Sequence, residues 1–112
     1  MDIIFDTKKL EKTVNEARSL QKAYGQIGAK VIRRRLDDLL AVRSLEDVRL
    51  LPGKYHELSE DRKGQLAVHV HEPYRLIFEP VCDPLPINEH GILDWKKITC
   101  IKIIEIINYH GK

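Results

Sequence analysis

Gln65-Leu66-Ala67-Val68-His69-Val70 alternates strictly, sending Leu66, Val68 and Val70 one way and Gln65, Ala67 and His69 the other. That period of two is the signature of a strand with two unlike faces. After the Glu72-Pro73 turn, Tyr74-Arg75-Leu76-Ile77-Phe78-Glu79 returns with Leu76 and Phe78 facing opposite to Arg75 and Glu79. The two runs predict an antiparallel hairpin whose apolar face packs under helices and whose other face, partly open, carries Arg75.

Upstream of the hairpin, Pro52-Gly53 is a breaker, Lys54 to Leu58 reads as a strand and Ser59 to Gly64 as a polar turn. Ser44 with Asp47 three residues on resembles a capping box, so Leu45 to Leu50 is expected to form one helical turn. Before that the period is helical. Leu10, Val14, Ala17, Leu20 and Tyr24 form one stripe ending at Gly25, and Ala29, Ile32, Leu36, Leu39 and Leu40 form a second. Asp6 and Thr7 are both suitable N-caps for the first helix, and Asp2 to Asp6 supplies a short first strand. Downstream, Pro80 to Lys97 holds three prolines and one glycine and is expected to be a long irregular insertion, of a length usual for functional or mobile loops. Ile98 to Ile107 is apolar enough to be a buried strand, and it delivers Asn108-Tyr109-His110 to the rim of the sheet. That phenol and imidazole suit either an aromatic plug or proton transfer. The expected architecture is α+β: an N-terminal strand and a two-helix hairpin packed on one face of a mainly antiparallel sheet.

A chain of 112 residues has room for a single domain with an ordinary core and no need of disulfides or a structural metal. Its net charge of +2 does not by itself mark a nucleic-acid binder, although Lys8-Lys9, Arg33-Arg34-Arg35, Arg62-Lys63 and Lys96-Lys97 are local basic clusters. Each suits a solvated face or a phosphate contact. Cys82 and Cys100 lack metal-ligand or redox-motif spacing, so no metal or other cofactor is expected. With no signal peptide and no apolar run of about 20 residues, a cytoplasmic protein with no membrane partner is expected.

Four segments carry chemistry together: Gly53-Lys54-Tyr55-His56-Glu57-Leu58, Asp61-Arg62-Lys63-Gly64, Pro73-Tyr74-Arg75-Leu76-Ile77-Phe78 and Asn108-Tyr109-His110. In that order, after two helices, they make the chain resemble the HigB-type toxins of the RelE/ParE superfamily, the toxins of type II toxin–antitoxin modules. The resemblance implies a RelE-like fold that enters the ribosomal A site and cleaves translated mRNA, with a HigA-like helix-turn-helix antitoxin as partner beside ribosome and message. A homodimer is also compatible with it. The family's functional histidines match His56 and the C-terminal Tyr109-His110, and its hairpin arginine matches Arg75. The chain departs from the family where Ser59 and Glu60 stand in place of lysine and glycine, and where Asn108 replaces a frequent aspartate. The Ser59 and Glu60 departures also suit a catalytically weak or silent binding module, of the kind labelled killer suppression protein among similar chains.

RNA cleavage without a metal needs a base for the 2′-OH proton, an acid for the departing 5′-oxygen and fixed cations at the phosphate. His56 and His110 could share acid and base, Arg75 suits the scissile phosphate, and Tyr109 could stack or donate a hydrogen bond. Lys54, Arg62 and Lys63 would hold RNA. Arg75 could instead be neutralised by Glu79 on its own strand face, Arg62 could close its turn on Asp61, and His69 and His71 are expected at the surface of the hairpin bend.

Overall fold

The hairpin forms as its alternation requires. In a computed structural model that describes residues 1–108, β3 (Leu66–His69) pairs antiparallel with β4 (Tyr74–Pro80), placing His69 opposite Arg75, Val68 opposite Leu76 and Leu66 opposite Phe78. Around this pair the chain builds a five-stranded sheet. The other strands are β1 (Asp2–Phe5), β2 (His56–Glu57) and β5 (Cys100–Asn108), and the sheet order is β1-β5-β4-β3-β2. Every neighbouring pair is antiparallel except β1 with β5, which is parallel. The fold is therefore α+β.

Helices α1 (Lys8–Asn15) and α2 (Ala17–Ala41) close one face of the sheet. Thr7, not Asp6, is the first cap: its hydroxyl accepts from the Leu10 N–H at 3.0 Å, satisfying a donor the helix leaves open. The apolar spacing runs without a gap from Leu10 to Tyr24, but the helix does not, because Glu16 is extended and accepts a hydrogen bond from the Ser19 hydroxyl at 2.9 Å. The second break falls where glycine permits it, at Gly25 with φ 79 and ψ 169 inside α2. Beyond Gly25, Ala29, Ile32, Leu36 and Leu39 are buried against Leu66, Val68, Leu76, Phe78, Ile101 and Ile103. Each such aliphatic side chain contributes about 1.5–3 kcal/mol by leaving water. No helix among the described residues is long and apolar enough to cross a membrane.

Leu45–Leu50 is a short 3-10 helix that buries Leu45 and Val48, but Ser44 makes no side-chain cap there. The strand expected over Lys54 to Leu58 is reduced to its middle, because Gly53 and Lys54 take positive φ values of 124 and 53. Neither can continue a ladder.

In β5, Ile103 pairs with Phe78 and Glu105 with Ile77, so Ile104 is an extra residue, a β-bulge. Strict alternation would have put Glu105 on the core side with Ile101 and Ile103. The bulge turns it to the opposite face, where its carboxylate accepts from Arg62 Nη2 at 2.6 Å. That face is less bare than expected, since Ala67 and Ile77 are each only 1% exposed.

The Pro80 to Lys97 insertion is tied down rather than loose. Ile87 bridges Leu93, and the Asn88 side chain accepts from the His90 and Ile92 N–H groups. Trp95 is buried, donates from Nε1 to Glu57 Oε2 at 2.9 Å, and carries the Arg49 guanidinium 3.8 Å from its ring centroid. The insertion thus pins the edge strand β2.

Candidate functional site

The face turned away from the helices holds the chemistry, at the end of β3. His69 and Arg75 are directly opposed across β3 and β4, and His56 of β2 is paired with Ala67, two residues before His69. Diagonal neighbours at that offset are within reach of ring side chains. The His56 and His69 rings meet edge to face, with centroids 6.1 Å apart and planes at 70°.

The backbone under this pair is fixed from three sides. The His69 N–H donates to the Gly53 carbonyl at 2.7 Å, and Arg35 Nε of α2 donates to the His69 carbonyl at 3.0 Å. A Cβ at Gly53 would lie 2.5 Å from Val68 Cγ2 and 3.0 Å from Arg35 Nε, so this turn accepts only glycine. Lys54, in the left-handed region, aims its carbonyl at His56 Nδ1, 2.8 Å away. A carbonyl oxygen only accepts, so Nδ1 carries the hydrogen of that bond. Neutral His56 therefore presents the Nε2 lone pair outward, and protonated His56 presents an Nε2–H.

Arg75 is 6% exposed. Its Nη1 donates to the Tyr74 carbonyl at 2.9 Å and to Glu72 Oε1 at 2.8 Å, so the counter-ion comes from the turn and not from Glu79. Glu79 lies beside Lys102 instead, at 3.7 Å. Burial, together with the nearby cations Arg75 and Lys54 and the His56 ring, holds the His69 imidazole below its ordinary pKa, with Glu72 partly offsetting them. His69 is therefore neutral at physiological pH.

Of the residues singled out in the sequence, Lys54, His56 and Arg75 are brought together. Arg62 is spent elsewhere, on Gln65 at 2.9 Å and on Glu105, near the start of β3 and about 13 Å of strand away from His69. Its partner is thus across the sheet and not Asp61. Lys63 lines a separate groove of about 570 Å³ with Leu58, Leu85, Ile87 and Leu93. Tyr109 and His110 lie outside the described residues. His71 is exposed at the bend, as expected, but His69 is half-buried and central. The signal that finds His69 is parity: it shares the Gln65-Ala67 face and falls opposite Arg75 once the hairpin is closed. Among the described residues no group of three or more His, Cys, Asp or Glu side chains is placed to hold a metal ion.

Tyr55, next to His56, is half-buried, and its hydroxyl is out of contact with water and unpartnered among the described residues. Burial first, then the Asp38 carboxylate, push its pKa up to about 12 from 10.0 against the opposing pull of Arg35. The folded state thus holds this proton where the unfolded chain releases it. Stability should fall as pH rises from 10 toward 12. Tyr55→Phe removes the orphaned hydroxyl and should stabilise the protein by about 1 kcal/mol near neutral pH while flattening that alkaline limb, as read from denaturant midpoints at each pH.

No family model and no curated protein matches the chain.

Proposed function

We propose that this chain is the toxin of a type II toxin–antitoxin module, a ribosome-dependent endoribonuclease that cuts translated mRNA in the cytoplasm and is silenced by a helix-turn-helix antitoxin. The observation that carries the reading is the His56–His69 pair set beside Lys54 and Arg75 on the face that the helices leave uncovered. Imidazoles move protons near neutral pH, and neighbouring cations stabilise a phosphorane. His56 presents Nε2 to substrate, Lys54 is an exposed phosphate contact, and Arg75 contributes positive field from below the surface. Arg62 and Lys63 border the path that RNA would follow toward the insertion, and the resemblance adds Tyr109 and His110.

Induction of the chain in bacteria should arrest growth and leave cuts within translated messages, mapped by primer extension. Silence in that assay, with folded protein present, would reject the nuclease reading.

One observation favours the second reading, a binding module without catalysis. The two arginines nearest the expected phosphate path are already engaged, Arg75 by Glu72 and Arg62 by Glu105. A stable protein complex formed without any message cleavage on ribosomes is the outcome that supports it.

A further inference from the structure

The sequence suggests two proton carriers, His56 and His110, but the described structure brings a different histidine beside His56. We propose that His69 is the proton acceptor of the site, taking the 2′-OH proton of the RNA while His56 acts as the donor to the leaving oxygen. This assignment rests on the ribonuclease reading.

The geometry assigns the roles unequally. The His69 main chain is held at both its N–H and its carbonyl, by Gly53 at 2.7 Å and by Arg35 at 3.0 Å, and it sits in a paired strand rather than a loop. A base must keep its place to within a fraction of an ångström, and a strand with two anchors does that. The charged groups around His69 come from every neighbouring element: Arg75 across the β3–β4 pair, Glu72 from the turn, Lys54 and His56 from the β2 segment, and Arg35 from α2. Burial first, and then the cations that outnumber the one carboxylate, lower the His69 pKa and favour the unprotonated ring that can accept a proton. His56 is exposed, its Nδ1–H is committed to the Lys54 carbonyl, and its Nε2 is the free end from which a proton can be delivered.

The step balances. The 2′-OH proton passes to His69, and the freed oxygen attacks phosphorus. The P–O5′ bond breaks with its electron pair on O5′, and protonated His56 supplies the proton from Nε2. The products are a 2′,3′-cyclic phosphate and a 5′-hydroxyl, and a return of one proton from His69 to His56 through water resets the pair.

The test compares wild type, His69→Ala and His69→Gln for cleavage of a defined message on translating ribosomes from about pH 5 to about pH 8. Thermal melts run beside each assay. Loss of about 10²-fold in His69→Ala, disappearance of the acidic limb of the rate profile and partial rescue by added imidazole are expected. A variant cutting within a few-fold of wild type with the same profile overturns the assignment and leaves the nuclease reading standing. A loss with the acidic limb unchanged and no rescue also overturns it, since that is the behaviour of a packing residue. If His69→Ala does not fold, the same loss and the same change of profile are required of His69→Gln. Wild type that leaves the message intact overturns the reading itself, and the assignment with it.

Discussion

His56→Ala is expected to lower the rate of message cleavage by about 10²- to 10⁴-fold, the usual contribution of one acid–base group. It should do so without unfolding the protein. His56 is exposed, and its side-chain bond is to the carbonyl of Lys54, two residues away. The strand it stands on is held from the opposite face, where Glu57 receives the Trp95 indole proton, and through the ladder to β3. Quantifying cut message on ribosomes, with the melting curve of each protein as control, separates chemistry from stability. Equal growth arrest by wild type and His56→Ala at equal protein levels would remove His56 from the mechanism.

Phe78→Ala should be the most damaging single change to the fold. Its ring is fully buried at the centre of the core face, on the middle strand of the sheet, paired with Leu66 on one side and Ile103 on the other. Truncating such a residue costs about 3–5 kcal/mol, the transfer energy of the ring plus the cavity it leaves. Domains of this size hold only about 5–15 kcal/mol in all. A urea midpoint displaced by that amount at unchanged slope is the expected result. The effect reaches the candidate site as well, because Tyr55 meets the Phe78 ring edge to face at 6.4 Å and lies between Lys54 and His56. A shift below 1 kcal/mol would mean that the core is not organised around this ring.

What the sequence made legible was whatever depends on side-chain period. The alternation in β3 and β4 correctly sorted Leu66, Val68, Leu76 and Phe78 into the core and Arg75 onto the other face. What it concealed depended on backbone geometry or on distant partners. The apolar stripe from Leu10 to Tyr24 carries no mark of the interruption at Glu16, because a helix that bends and resumes can keep its buried face. The strand at Lys54 to Leu58 shrank because two positive φ angles precede it, and only Gly53 announces one of them. Counter-ions were mispaired for a related reason. Glu79 stands on the same strand face as Arg75, yet the turn folds Glu72 closer, and the extra residue in β5 brings Glu105 to Arg62. Trp95, inside a segment rich in proline, gave no local sign that its indole would anchor β2. The half-buried placement of His69 follows from the strand it ends, opposite Arg75, and not from its nearness to the bend.

The extra residue at Ile104 has one more consequence. It makes β5 a strand with two reading frames, one before the bulge and one after it, and only their offset lets Ile103 and Ile106 enter the core while Glu105 and Ile107 leave it. Deleting Ile104 would merge the two frames into one regular alternation, Ile103 in, Glu105 out and Ile106 in, so every later side chain would keep its face while the bend at the bulge is lost. Length variation among natural variants of this fold should therefore collect in the 80–97 insertion and, within β5, at the bulge residue Ile104 rather than at the paired positions around it.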